Sequence, residues 1–292
     1  MSAYDERFSR VSRLLTAEGV ARLRAAHVAV VGLGGVGSWT VEALARTGVG
    51  GLTLVDPDVV QLTNFNRQLP ALDLNLGRLK AEVLAERVRT INADCRVTVV
   101  PEAFGPDNAE RLLARGFQIL VDAIDSPSRK AWLIASCRER GMPVLTVGGA
   151  GGRSDPTQVR VADLAASSHD PLLGQVRRLL RRHHGFPRGA EPFGVECVFS
   201  TEAFKSGARE APLASAAMPG DHEPRECRRD ARTTVRVVPL REETAAGGAE
   251  VSAAGLAAGR ERSFGTVCFV TGAFGLVAAA RAVVRITSGV SP

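Results

Sequence analysis

The sequence predicts an α/β fold: a Rossmann-like, doubly wound, mostly parallel sheet with a C-terminal extension. Three observations predict it. Short apolar runs alternate with apolar-periodic helical segments through the first half of the chain. One run, Val28 to Val31, leads straight into G-x-G-x-x-G and a helix, the arrangement that places backbone N–H groups against a phosphate. Acidic residues stand at the ends of separate runs, where such sheets bind ligands.

The elements follow in order. Residues 5 to 24 read as an amphipathic helical lead-in with Phe8, Val11, Leu14 and Leu15 on one side. Arg7, Arg10 and Arg13, at i, i+3 and i+6, share another face, which is either a solvated basic surface or an arm that presents Arg to a phosphate. His27 to Asp56 then reads HVAVVGLGGVGSWTVEALARTGVGGLTLVD. Val28 to Val31 is a buried strand, and Gly32, Gly34, Gly35 and Gly37 belong to the loop. A helix follows over roughly Val36 to Thr47, and a strand over Leu52 to Val55 ends on Asp56. Glycine lets the backbone approach a phosphate, and an acid about twenty residues on suits ribose hydroxyls.

Beyond Asp56 the stretch PDVVQLTNFNRQL is polar and turn-rich. Leu79 to Ile91 predicts a helix carrying Lys80. Val97 to Val100, Gln118 to Ala123 and Val144 to Val147 predict strands. Asn108 to Arg115 and Ser126 to Arg140 predict helices, the second with Ser126 as N-cap and Pro127 just inside. Gln158 to Val161 predicts one more strand. Residues 170 to 188, DPLLGQVRRLLRRHHGFPR, predict a strongly basic helix. Arg177, Arg178, Arg181 and Arg182 are its candidate nucleic-acid contacts, the alternative being a solvated face. Lys205 to Arg262 has no sustained period apart from a candidate strand at Thr233 to Val238, and reads as a mobile insertion. Phe264 to Ala280 is uncharged and fits a buried core helix better than a membrane span, because it is slightly short and contains glycines. The organisation expected is residues 1–165 as the nucleotide-binding domain with its helical arm, 166–204 as a basic substrate-contact segment, 205–262 as the insertion and 263–292 as the C-terminal helix.

At 292 residues the chain can bury a full core, and its net charge of +6 suits an anionic partner. It has only three lysines, Lys80, Lys130 and Lys205, against 34 arginines, so each lysine merits inspection. Its five cysteines form no C-x-x-C pair, which argues against a disulfide framework and a structural zinc site. The first ten residues have no apolar signal region, and a cytoplasmic location is expected.

Asn64, Arg67 and Gln68 in one turn, Lys80 on the next helix and Asp125 ending the fourth strand do not suit a simple dinucleotide dehydrogenase. Arg and Lys near a Gly loop suit a triphosphate, and an Asp among phosphates suits Mg²⁺. On these motifs the chain resembles the ThiF/MoeB/ubiquitin-activating superfamily, from Arg7 through Val161 and again near the C-terminus. The resemblance implies an enzyme that uses ATP to activate a carboxylate. Asp56 would take the ribose, Arg67 and Lys80 the phosphates with help from Asn64, and Asp125 the Mg²⁺. Arg67, Lys80 and Asp125 would be the catalytic set. It also implies a homodimer in which Arg10 or Arg13 reaches the partner's ATP, and a sulfur-transfer protein as a further partner.

GLGGVGSWTVEALARTG, TNFNRQ, AIDSPSRK, GGAGGRSDPTQV, DPL and GVECVFSTE narrow the resemblance to the bacterial tRNA threonylcarbamoyladenosine dehydratases. That family implies ATP-dependent cyclisation of the threonylcarbamoyl group next to the anticodon, with tRNA as partner. Two departures stand out: the long insertion, and Arg260 where some relatives carry a cysteine. Cys197 is then the candidate reactive thiol, or else a buried small hydrophobe. Three other functions stay open on sequence: an adenylating activator of a ubiquitin-like sulfur carrier, an NAD-type oxidoreductase, and a non-catalytic scaffold in a sulfur-transfer complex.

Overall fold

Along His27–Val31 (β1), Val28 and Val30 face one side of a sheet and Ala29 and Val31 the other, and all four are buried. Period-two burial on both faces requires layers above and below the strand. The computed structural model describes residues 2–204 and 265–289, which belong to one compact unit. Gly51–Val55 (β2), Arg96–Val100 (β3), Ile119–Asp122 (β4), Val144–Val147 (β5), Val159–Asp163 (β6) and Glu196–Ser200 (β7) join β1 in a seven-stranded sheet of order β3-β2-β1-β4-β5-β7-β6. Every pairing is parallel except the antiparallel β6–β7 edge. The chain winds outward from β1 to β3, then restarts at β4 on the other side of β1. That reversal opens a crevice at the carboxyl ends of β1 and β4.

Ala17–Ala25 (α3), Gly37–Thr47 (α4), Lys80–Ile91 (α5) and Cys268–Ser288 (α9) cover one face of the sheet. Pro106–Leu113 (α6), Pro127–Glu139 (α7) and Pro171–His183 (α8) cover the other. The expected doubly wound sheet is present, with differences of detail that have physical causes.

The single lead-in helix is broken into Ala3–Arg7 (α1), Ser9–Leu14 (α2) and α3. Tyr4 and Phe8 are both buried and stack 4.6 Å apart, and the Tyr4 hydroxyl donates to the Gly48 carbonyl at 2.6 Å. Burying both rings bends the chain at Phe8, and Thr16 then caps α3 through the amide of Gly19. Leu14 is 86% exposed, so it does not share the buried side with Phe8. Arg7 donates to the Ile91 carbonyl at 2.9 Å and so parts from Arg10 and Arg13. Ser126 occupies the N-cap position of α7 but makes no side-chain cap bond. β4 ends at Asp122, so Asp125 lies three residues beyond it in the loop. The edge strand begins at Val159, not Gln158. β7 was not expected as a strand, and it is interior to the sheet. The candidate strand at 233–238 and the insertion lie outside the described residues.

α9 has 21 residues and a mean hydropathy of 1.6, long and apolar enough to cross a membrane by length and composition. Here Val270, Phe274, Ala278 and Ala282 are buried in the core, as the core-helix expectation has it. Arg281 pairs with Glu196, and Arg285 joins the same carboxylate at 2.9 Å. Packing against α4 is close enough to exclude a side chain at one position. A Cβ on Gly275 would meet the Val36 carbonyl oxygen at 2.5 Å and Trp39 Cβ at 2.8 Å. One on Gly272 would meet only the Trp39 ring, at 3.6 Å or more.

These two positions should respond oppositely to the same change. Gly to Ala gains about 1 kcal/mol of helix propensity. At Gly275 a backbone clash of this depth costs roughly 1–3 kcal/mol and wins. Urea unfolding should show Gly275→Ala destabilised and Gly272→Ala neutral or stabilised by up to about 1 kcal/mol. Equal midpoints for the two variants would contradict the packing.

Candidate active site

The site begins at the glycines after β1. Gly32 has φ +88, and a Cβ there would lie 2.7 Å from the Ala123 carbonyl oxygen, so the turn and its contact with the β4 exit both need glycine. A Cβ on Gly37 would lie 1.8 Å from the Gly32 carbonyl oxygen, which lets α4 start directly against the loop. Gly34 is different, because a Cβ there would find only Gln68 Nε2, at 3.7 Å. The space over Gly34 is open, and α4 begins three residues on; of its first-turn amides, that of Ser38 is spent on the Gly34 carbonyl at 3.1 Å, which leaves those of Gly37 and Trp39. This is where an anion gains from a helix N-terminus. A Cβ on Gly35 would touch Arg67 Cγ at 3.3 Å and Thr271 Cγ2 at 3.2 Å.

Asp56 follows β2 and is buried, its Oδ2 accepting from the Leu33 amide at 2.6 Å and its Oδ1 from the Asp58 amide at 2.8 Å. Burial raises its pKa above the usual carboxylate value, against the two amides and Lys80, which pull it down. Each oxygen has a second lone pair left to accept a hydroxyl. Lys80 opens α5 with its ammonium 2.8 Å from Asp58 Oδ2; the Lys side chain is 6% exposed and the Asp side chain 62%. Asp58 is a site neighbour that sequence reasoning missed, although the spacing Asp56-Pro57-Asp58 was a signal for it.

The polar turn after Asp56 packs on the Gly loop. Trp39 Nε1 donates to the Arg67 carbonyl at 3.1 Å, and Ser38 Oγ accepts from the Leu69 amide at 3.3 Å. Arg67 Nη1 donates to the Thr63 carbonyl at 2.9 Å and to Asn66 Oδ1 at 2.8 Å, which leaves its other N–H groups available. Asn64 is buried, and its Oδ1 accepts from the Gln61 amide at 3.0 Å, so half of that side chain is spent on the turn. Gln68 is buried with no partner for its Oε1 among the described residues.

Asp125 is exposed, two residues past the Ala123 that Gly32 touches. Its loop is held from below by a pair the sequence did not reveal. Lys130 and Asp122 are fully buried with Nζ 2.8 Å from Oδ2, and Thr146 Oγ1 donates to the same oxygen at 2.7 Å. Asp122 Oδ1 accepts from the Ile124 amide at 3.1 Å. A lysine inside the run KAWLI was the available signal.

The Gly loop, Asp56, Arg67 and Lys80 are thus brought together, with Asp125 on the neighbouring loop. Arg10 and Arg13 lie on α2, exposed and without an ion pair among the described residues. The four arginines of α8 do not form one contact face. Arg177 is half-buried and donates to Ser167, with burial first and then Arg181 pulling its pKa below the usual value. Arg181 is tied to the carbonyls of Pro187 at 3.1 Å and Gly189 at 2.9 Å and lies over the Phe193 ring. Arg178 and Arg182 point outward. Cys197 is interior to the sheet, and burial pushes its thiol up to about 12, so it is the small core residue and not a ready nucleophile. Arg260 lies outside the described residues.

The model of the ThiF family matches residues 8–290. A tRNA threonylcarbamoyladenosine dehydratase of Escherichia coli is 50% identical over 202 residues, covering 69% of this chain and 75% of that protein. The Haemophilus influenzae protein of the same name is 48% identical over 200 residues, covering 68% and 77%. The crystal structure of E. coli tRNA N6-threonylcarbamoyladenosine dehydratase, TcdA, in complex with ATP superposes with a TM-score of 0.77 at 38% identity, covering 99% of this chain and 97% of that one.

Thiol chemistry offers a direct check on the placement of the cysteines. Cys95 is pushed up to about 11 and Cys137 to about 12, chiefly by burial, whereas Cys268 is exposed at the first turn of α9. Iodoacetamide at pH 8 should label Cys268 in the native protein and leave Cys95, Cys137 and Cys197 unmodified until urea is added. Peptide mass spectrometry reads the sites, and native labelling of Cys197 as fast as Cys268 would contradict its burial.

Proposed function

The chain belongs to the ThiF family, and from that premise we propose that it uses ATP to dehydrate the threonylcarbamoyl group on the adenosine beside the anticodon of tRNA, closing it into a ring. The observation that carries this reading is the open face over Gly34 at the start of α4, flanked by Asp56, Arg67 and Lys80. It suits a nucleotide triphosphate, because two cations stand where phosphate charge must be neutralised. The near full-length likeness to an ATP-bound dehydratase supports the same choice. An NAD-type oxidoreductase would need only the Gly loop and Asp56, leaving Lys80 and Arg67 without a task. An activator of a sulfur carrier would share the nucleotide chemistry and differ in the acceptor.

In this reading Asp56 accepts from the ribose hydroxyls through its remaining lone pairs. The amides at the start of α4 and the free N–H groups of Arg67 hold phosphate oxygens, and Asn64 has its Nδ2 left to assist. Lys80, held by Asp58, contributes two further N–H donors. The threonyl carboxylate is activated by ATP, a neighbouring ureido atom displaces the leaving group, and water is lost overall. Asp125 fits Mg²⁺, which needs only one or two carboxylates besides phosphates and water; when bound, the metal supplies charge neutralisation at the phosphates. Cys197 is buried, so no step of the reading runs through its thiol.

We further propose a homodimer. Val59, Leu62, Phe65, Leu72, Leu74 and Leu76 are exposed on one segment beside the site, more apolar surface than a free loop usually shows. A second copy would cover this surface, and in this reading Arg10 or Arg13 of one copy serves the other's nucleotide.

The reading as a whole is tested with purified protein, ATP and tRNA carrying threonylcarbamoyladenosine, analysed by nucleoside mass spectrometry. A protein that binds ATP but forms no cyclic product, while a ubiquitin-like protein stimulates its pyrophosphate exchange, would point to the sulfur-carrier function. Within the assay, Gly34→Val should keep the fold and lose ATP affinity, because its side chain fills the open face. Lys80→Arg should retain some ATP binding and lose at least ~100-fold in turnover, the scale of one transition-state contact. Asp125→Asn should lose more. Near-normal turnover in Lys80→Arg would make Lys80 only a structural cation.

The dimer has its own test by complementation. Mixing a chain lacking both Arg10 and Arg13 with a Lys80→Ala chain should restore part of the activity, since each site draws its arm and its Lys80 from different copies. An inactive mixture despite confirmed subunit exchange would remove the arm from the site.

A further inference from the structure

Between the start of α7 and the outer side of α8 lies a groove of about 970 Å³, lined by Pro127, Ser128, Gln175, Leu179 and four arginines. Arg181 is spent on its two carbonyls and the Phe193 ring. Arg178, Arg182 and Arg188 are exposed and have no hydrogen bond or ion pair among the described residues. Among the described residues no acidic side chain lines the groove. Arg178 and Arg182 stand at i and i+4, a like-charge spacing that weakens a helix by a few tenths of a kcal/mol. A basic last turn does complement the helix dipole, and that accounts for Arg182. It does not account for Arg178, two turns into α8, or for Arg188, beyond its end. Three guanidiniums line one concavity with no acidic partner among the described residues, and Pro127 and Leu179 add an apolar surface against which a base or ribose can pack.

The groove also has a position relative to the chemistry. Pro127 and Ser128 follow Asp125 by two and three residues, so one end of the groove opens beside the loop that carries Asp125. We infer that this groove holds the RNA backbone flanking the adenosine that reacts, with Arg178, Arg182 and Arg188 on successive phosphates. This rests on the tRNA reading given above. It adds Arg188 to the contact set and removes Arg177 and Arg181, which are engaged inside the protein. Direct phosphate contacts of this kind position the substrate and carry no sequence information.

The probes are tRNA bearing threonylcarbamoyladenosine and the isolated anticodon stem-loop bearing the same nucleoside. For each, affinity is measured against salt for the full-length protein, for R178Q/R182Q/R188Q and for R178K/R182K/R188K. Loss of three phosphate contacts should reduce the log–log salt slope by about two, at roughly 0.7 per single-strand phosphate, and weaken binding at least about tenfold at low salt. The fall should be equal for tRNA and stem-loop. The lysine variant should keep the slope, and ATP affinity should stay unchanged in both variants, which shows an intact fold. An unchanged slope in the glutamine variant overturns the inference and leaves the groove to an acidic protein or to no partner. A fall seen with tRNA but not with the stem-loop also overturns it, because the contacts then lie away from the reacting adenosine. Failure of the wild-type protein to cyclise the nucleoside would instead remove the tRNA reading itself.

Discussion

The structure depends on one close approach: the backbone of Gly32 against the carbonyl of Ala123, at the point where the winding of the sheet reverses. No side chain fits between them, and Gly32 adopts a left-handed φ that only glycine takes without strain. The contact draws the exit of β1 and the exit of β4 together. Asp56 completes the arrangement from the third strand end by accepting the Leu33 amide. A loop that would otherwise be free to flex is thereby fixed on three sides, while the face over Gly34 stays empty. Preorganisation of this kind matters because amides aimed at a phosphate lose most of their benefit if they must reorganise on binding.

A second constraint lies one layer deeper. The Lys130–Asp122 pair is fully buried, and such pairs seldom add stability over well-packed apolar residues. Removing one partner is another matter, since a lone buried charge costs about 3–5 kcal/mol. The pair therefore acts chiefly by fixing geometry. It joins the end of β4 to α7 and to Thr146 on β5, and through the Ile124 amide it fixes the course of the loop on which Asp125 rides. The next loop has a similar device. Arg153 is buried against Asp170, and Asp170 accepts the amides of Gly149 and Leu173. Arg153 also takes the carbonyl of His169, a non-glycine residue at φ 54. Successive loops at the carboxyl edge are thus held by buried cations, and the groove beside α8 opens between the elements they hold.

Much of this was legible in the sequence, and the divide is physical. The strand–Gly loop–helix–strand unit was readable because period-two burial, glycine and helix periodicity are local signals that agreed. β7 was missed because the polar ends of ECVFS blur its apolar run and its pairing with β5 and β6 is made by residues about thirty to fifty positions away in the chain. The break at Phe8 was missed because it is imposed by a ring stack and by Gly48, neither visible as helix period. Among the candidate site residues, the sequence does not tell which side chains are already engaged inside the protein. Arg177 and Arg178 are adjacent and chemically equal, yet one is turned to Ser167 and the other to open solvent. Only the direction of α8 against the sheet decides that. Cys197 stood in a resemblance-bearing string, and its burial in an interior strand removed the chemistry that its residue type had suggested.

The lysines bring these levels together. In a chain with 34 arginines, the two lysines among the described residues both pair with an aspartate at 2.8 Å, and both are buried. The arginines supply most of the exposed charge. A guanidinium is a planar fork and needs width; an ammonium is a compact point on a flexible stem. Beneath the loop of Asp125 and beside the Gly loop each ammonium meets one aspartate at 2.8 Å, a pairing that a compact cation can make. Arg67, by contrast, lies on the turn at the rim, where its width allows two bonds to its own turn while other N–H groups remain. Arg153 shows where the fork serves in the interior: fully buried against Asp170, it also donates to the carbonyls of Gly149, Glu202 and His169, a set of acceptors too spread for one ammonium.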